Sequence, residues 1–214
     1  MRRILVPLIF GIVGCAVLVS LGLWQLRRLE WKEAILAEIE ARIAAEPLAL
    51  EAALGAPDYT PVTLTGRIEG DPLRFIYSGS EEDLVVAVQT EEGRRIMVDL
   101  GLAPMGAAAA LPEGPLTIAG NLDTPVGKGT PAPMVQNPWA ARSPEGMAEV
   151  LGTGPVFVVA REVAPPLTFV APLPVTTEGI ANNHLGYAIQ WFGIALVWAG
   201  MSVYLIRRTL RSKD

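Results

Sequence analysis

Residues 4–23 read ILVPLIFGIVGCAVLVSLGL and residues 185–206 read LGYAIQWFGIALVWAGMSVYLI; neither run holds a charged side chain. A helix rises about 1.5 Å per residue, so each run is long enough to cross a hydrocarbon core of about 30 Å. Two transmembrane helices therefore frame the chain, and whatever else it folds must lie between them. Arg2 and Arg3 before the first run also suit a signal peptide, and Ile12-Val13-Gly14-Cys15 resembles a lipoprotein cleavage site. The apolar run continues for eight residues past Cys15, however, which suits a span better than a signal. Cys15 is then a small apolar residue inside a helix.

The charges agree with this division. The tails outside the two runs carry six of the seventeen basic residues and one of the twenty-two acidic ones; the stretch 24–184 carries the rest. Short basic tails stay cytoplasmic, whereas a long loop crosses largely regardless of its charge. Both termini are expected to be cytoplasmic, or on the matrix side in an organelle, and the central domain periplasmic or intermembrane. Over all 214 residues, 51% are hydrophobic and 18% charged, too apolar for a disordered chain. The net charge of −5 gives no nucleic-acid footprint. One cysteine excludes an intrachain disulfide, and one histidine excludes a His-rich metal cage.

The first helix is expected to run out of the bilayer to about Ala45, because 24–45 holds no Gly or Pro; Glu46-Pro47 then ends it. Trp24, Arg28 and Trp31 fall on one face there, as interfacial anchors do. Beyond Pro47 short β-prone runs alternate with Gly, Pro and Asp: 59–68, 74–78, 84–89, 95–100, 116–122 and 156–162. Glu91-Glu92-Gly93 suggests a hairpin. Residues 124–144 read as loop, Ser143-Pro144-Glu145 as the start of a short helix to Leu151, and 165–174 as extended chain.

The expected fold is thus an α+β membrane protein: two transmembrane helices flank an extracytoplasmic, antiparallel, β-rich domain resembling an open barrel. Its segments are 1–23, 24–46, 47–184, 185–206 and 207–214. The central domain has no cysteine and no histidine before His184, so a Ser/His/Asp triad is not available. Glu81-Glu82-Asp83 and Glu91-Glu92 read as solvated charge, and no apolar setting that would raise a carboxylate pKa is visible. A non-enzymatic protein is expected.

The densest unusual chemistry is 182–192, NNHLGYAIQWF. At 100° per residue, Tyr187, Ala188, Trp191, Ala195, Trp198 and Ser202 lie within about 60° of His184, while Gly186, Gly193 and Gly200 lie opposite. Gly11, Gly14 and Gly22 share a face of the first helix. Small residues let membrane helices approach closely. The glycine faces are therefore expected to meet, Gly22 at the depth of Gly186 and Gly11 near Gly200, turning His184, Tyr187 and Trp191 away. Asn182 and Asn183 are candidate caps. His184 has two readings: an interfacial polar anchor, or a ligand to a metal or haem iron flanked by stacking rings.

Two stretches resemble the surfeit locus protein 1 family, the Shy-type assembly factors of haem–copper cytochrome oxidase. They are Gly22-Leu-Trp24-Gln25-Leu-Arg-Arg28-Leu-Glu-Trp31-Lys32, and Asn182-Asn183-His184-Leu185 followed by Tyr187-Ala188 and Trp191-Phe192. A weaker third is Val98-Asp99-Leu100-Gly101-Leu102-Ala103-Pro104, where the family pattern has Arg-Gly-Trp and this chain has Leu-Gly-Leu.

The resemblance implies an assembly factor in a bacterial inner membrane, its central domain periplasmic, that binds haem a and assists its delivery to subunit I of the oxidase. It implies His184 as haem-iron ligand, with Tyr187, Trp191, Trp24 and Arg28 beside the cofactor, and it gives Trp24, Gln25, Arg28 and Trp31 a positioning or partner-contact role, the arginine pairing with a haem propionate or with lipid phosphate. It also implies haem a synthase and other assembly factors as partners besides membrane lipid. The bacterial assignment rests on the lack of an Arg/Ser-rich transit peptide. The alternatives are a scaffold that steadies an oxidase intermediate without haem, or an extracytoplasmic sensor or enzyme domain.

Overall fold

A computed structural model describes residues 2–78, 80–124 and 144–211. The chain forms two compact units, one of Met1–Glu38 with Thr177–Asp214 and one of Ile39–Thr176.

The first unit is a pair of helices, most of α1 (Arg2–Ile43) and all of α3 (His184–Arg211). Both are long and apolar enough to cross a membrane. At 42 residues α1 measures about 63 Å, twice a hydrocarbon core, so its charged half continues beyond the bilayer. It stops where expected. Ala45 N–H turns back to Arg42 O (3.1 Å) in a tightened last turn, ahead of Pro47.

The second unit is a β-barrel. Its strands are β1 (Leu48–Ala49), β2 (Pro61–Ser78), β3 (Glu81–Thr90), β4 (Arg95–Pro104), β5 (Pro115–Asp123) and β6 (Phe157–Ala164), with α2 (Pro144–Leu151) between the last two. Five strands follow the order β2-β3-β4-β6-β5, and β2 pairs again with β5, which closes the sheet. The barrel is therefore closed rather than open, which removes the exposed edges an open sheet would carry. It is also not wholly antiparallel: β6 runs parallel to β4, from Met97↔Phe157 to Asp99↔Val159.

Closure depends on β2. The sequence suggests two strands, 59–68 and 74–78; the structure joins them into one bent strand of 18 residues. Its first part pairs with β5 and the remainder with β3, with a register shift between Glu69 and Leu73. The hairpin at Glu91-Glu92-Gly93 forms as expected, Thr90 N–H donating to Arg94 O at 2.8 Å.

The barrel interior is filled by Val62, Leu64, Leu84, Val86, Val88, Ile96, Val98, Leu100, Ile118 and Val158, among others. A second, smaller core lies outside the wall, where Met147 and Leu151 of α2 cover Phe75, Val85, Ala87, Met97 and Phe157. Residues four apart share a helix face, so these two side chains act together. Burial on both faces explains why 84–88 read LVVAV without alternation. Pro144 opens α2; Ser143 and residues 125–142 of the expected loop lie outside the described residues. At its other end Thr153 N–H reaches Ala148 O (2.9 Å) and Gly152 N–H reaches Glu149 O (3.4 Å), with Gly152 at φ 62°. That is a Schellman closure, which needs a residue free of Cβ strain.

Two acids of the 81–83 run are not solvated. Glu82 is 2% exposed; its Oε1 accepts from Gly106 N–H (3.0 Å) and Oε2 lies 3.6 Å from Arg74 Nη1. Asp83 is equally buried. The partners come from β2 and from the turn after β4, which is why a charge run read in isolation misleads. A buried carboxylate is tolerable only when it is paired or hydrogen-bonded.

Candidate functional site

The site is built on the helix pair. A Cβ at Gly11 would stand 2.8 Å from Ser202 Cβ, one at Gly22 2.6 Å from a Phe192 ring carbon, and one at Gly14 would collide with the Trp198 indole. Cys15 Sγ lies 3.9 Å from Ala195 O, and Ala188 and Ala195 are buried. Gly186, Gly193 and Gly200 meet nothing within 4 Å. The expected glycine-to-glycine contact is therefore wrong. The glycines of α1 instead accept large side chains of α3, and the face of α3 that turns inward is the one carrying His184, Ala188, Ala195, Trp198 and Ser202. Knobs seated over glycines bury more surface than two flat glycine stripes would, since dispersion scales with atoms in contact.

This turn of α3 brings His184 to Gln25. His184 Nδ1 and Gln25 Oε1 are 2.8 Å apart. Gln25 is 9% exposed and His184 half-buried. The other ring nitrogen, Nε2, has no hydrogen-bond partner among the described residues. His184 opens α3, and the carbonyl of Asn183 takes the first helical bond, from Tyr187 N–H (3.2 Å). The asparagine side chains do not cap it: Asn182 Oδ1 is buried without a partner.

The remaining expected residues share one flank of the pair. Measured around α1 from Gln25, Trp24, Arg28 and Trp31 lie about 60–120° to one side; measured around α3 from His184, Tyr187 lies about 60° and Trp191 about 20° to one side. The helices run antiparallel, so both offsets point the same way. Phe10 and Trp198 touch on that flank deeper in the bilayer, ring centroids 5.1 Å apart, while Gly22 and Phe192 meet on the other. Tyr187 and Trp24 are 51% and 52% exposed, and Trp191 is half-buried. Arg28 lays its guanidinium 4.2 Å from the Trp31 ring centroid, a cation–π contact that holds a charge beside exposed rings. A shallow hollow of about 420 Å³ adjoins, lined by Asn182, Asn183, Gly186, Tyr187 and Gln190.

Residues 12–196 match the SURF1 family. The chain belongs to the SURF1 family. Surfeit locus protein 1 of Homo sapiens is 28% identical over 216 residues, covering 82% of this chain and 69% of that protein. A SURF1-like protein of Monosiga brevicollis is 29% identical over 219 residues (88% and 83%), and one of Rickettsia conorii is 26% identical over 214 (90% and 87%). The matched region includes both halves of the helix-pair site. SURF1 membership carries a role in cytochrome oxidase assembly, and the architecture is two membrane-spanning helices around an extracytoplasmic barrel.

Gln25 stands in the SURF1 motif at the end of the first span, where the resemblance implies a positioning or partner-contact role; its contact with His184 is what the sequence does not disclose. The available signal is its spacing: Gln25 follows Gly22 by three residues and so continues the face on which α3 packs. Among the described residues no group of three or more His, Cys, Asp and Glu side chains gathers that would suit a metal ion.

The SURF1 barrel offers less to a ligand. A groove of about 370 Å³ is lined by Leu100, Val163, Leu167 and Val170, with Arg161 and Glu162 its charged members. Leu100 stands where the family pattern has Arg, and its side chain is fully buried in the barrel core. Asp99 points the other way and is 1% exposed, contrary to the expectation that no carboxyl here has an apolar setting. Burial pushes its pKa up to about 7; the Gly101 N–H bond to Oδ1 (3.0 Å) opposes the rise and nearby Asp123 adds to it. The folded state therefore keeps a proton that the unfolded state releases above about pH 4. Stability is expected to be highest near pH 4, to fall as pH rises to about 7, and to level off beyond, a total of about 4 kcal/mol at most. Unfolding of the detergent-solubilised chain, followed by circular dichroism from pH 4.5 to 8, should show that slope, and Asp99→Asn should flatten most of it. An unchanged slope in Asp99→Asn would place the titration elsewhere.

Proposed function

We propose that this SURF1-family protein receives haem a and hands it to subunit I of a haem–copper cytochrome oxidase, in a bacterial inner membrane with the barrel in the periplasm and both tails in the cytoplasm. The observation that carries the reading is the state of His184: one ring nitrogen is anchored to Gln25 and the other has no partner among the described residues, at the start of a membrane helix. An imidazole with a single free nitrogen is a ready ligand for haem iron. The exposed rings of Tyr187 and Trp24, with Trp191 beside them, offer apolar faces to a flat macrocycle on the same flank. Arg28 would pair with a propionate, a charge-assisted bond that a guanidinium makes well.

Haem is cargo here, so the site must also let go. One histidine from one chain is easier to exchange than a pair of ligands, and the open flank leaves room for subunit I to approach. Haem a synthase is the donor in this reading.

The test is made in a bacterium that lacks its own copy of this chain and is supplied with the wild type or with His184→Ala. Oxidase purified from the wild-type strain is expected to hold its full complement of haem a. Oxidase from the His184→Ala strain should hold no more than oxidase from the strain without the chain. Full haem a content with His184→Ala would refute delivery through His184 and favour a haem-free scaffold.

A further inference from the structure

We propose that Gln25 is the positioning residue of this site: its side-chain carbonyl holds the imidazole proton of His184 on Nδ1 and thereby keeps the lone pair of Nε2 available. The importance of this to haem rests on the reading above; the proton placement itself does not.

The geometry is short and isolated. Gln25 Oε1 and His184 Nδ1 are 2.8 Å apart, and a carbonyl oxygen only accepts, so the ring nitrogen donates. No other bond reaches the ring among the described residues. The side chains of Asn182 and Asn183 do not reach it, and the runs 4–23 and 185–206 hold no carboxylate. In a neutral imidazole, the hydrogen bond made by one nitrogen decides which nitrogen keeps the lone pair. Histidines that bind metals commonly have their second nitrogen fixed in this way, by a carbonyl or a carboxylate.

Glutamine suits the place better than an acid. Gln25 is nine-tenths buried at the end of an apolar helix face, where an unpaired carboxylate would be costly to hold ionised. The amide supplies an acceptor without a charge. Gln25 also lies on the face of α1 that Gly22 leaves open to α3, so helix pairing and ring orientation are set by one surface.

His184 is the only histidine in the chain, so selective ¹⁵N-histidine labelling yields one pair of ring signals from the full-length protein in detergent, without haem. Wild type is expected to show protonated Nδ1 and bare Nε2. Gln25→Leu keeps the bulk and removes the acceptor; Gln25→Asn keeps the amide and withdraws it by one methylene. Both should give a mixture of tautomers, whereas Gln25→Glu should restore the Nδ1–H form. Haemin, used as the probe in a titration of the same samples, should bind about tenfold more weakly to Gln25→Leu than to wild type, with Gln25→Glu close to wild type. Protonated Nε2 in the wild type, or an unchanged tautomer in Gln25→Leu, would overturn the proposal. Tautomers that follow residue 25, in a protein that takes up no haemin, would uphold the positioning and refute the haem reading instead.

Discussion

Gly101→Ala is expected to destabilise the barrel by about 3 kcal/mol or more, a large fraction of what holds a domain of this size folded. Gly101 sits in β4 at φ 105°, a conformation that costs any L side chain about 1–3 kcal/mol. Its missing Cβ is also where the chain returns from the barrel. A methyl there would collide with Ala171 O and stand 2.7 Å from Pro172 Cα. Backbone cannot swing aside as a long side chain can, because Leu102 and Ala171 exchange both their hydrogen bonds, at 2.8 and 2.7 Å. Overpacking at such a place adds about 1–3 kcal/mol. Thermal unfolding in detergent measures the loss. Leu102→Val, beside it on the same strand, should cost far less; equal costs would mean that the close approach at Gly101 is unimportant.

Gly14→Leu is expected to separate the helix pair. The Trp198 indole occupies the space a side chain at residue 14 would need. Cys15 and Ala195 report the contact, since Cys15 Sγ is already 3.9 Å from Ala195 O. Cross-linking of native Cys15 to Ala195→Cys with a short bifunctional reagent should be efficient, and Cys15 to Gly193→Cys should not react, because Gly193 faces outward. Adding Gly14→Leu to the Ala195→Cys protein should lower its cross-linking about tenfold, as a loss of about 1.4 kcal/mol implies. Efficient trapping at residue 193 would restore the glycine-to-glycine arrangement and remove His184 from Gln25.

That contrast marks the limit of what the sequence discloses. The two spans are legible because absence of charge over twenty residues has few other causes, and the hairpin because Glu91-Glu92-Gly93 interrupts two apolar runs. Barrel closure is not legible: the pairing of Val62 with Gly120 joins segments that carry no local mark of each other. The burial of Glu82 has a related origin, since its partners Gly106 and Arg74 lie outside the 81–83 run, in the turn after β4 and in β2. The inward face of α3 is misread for a different reason. Glycines announce close approach, but whether they receive glycines or tryptophans is decided by the partner helix. His184 is conspicuous as a lone histidine; Gln25 is marked only as one of four motif residues with a positioning or partner-contact role, and that it serves His184 becomes visible once α3 is placed against it.

The most direct measurement is the visible spectrum, with a pyridine haemochrome assay, of the full-length protein purified in detergent from cells that make haem a, beside His184→Ala. Haem a on the wild type and none on the mutant is the predicted result. Equal haem on both, or none on either while a control haem a protein loads, would contradict the role given to His184.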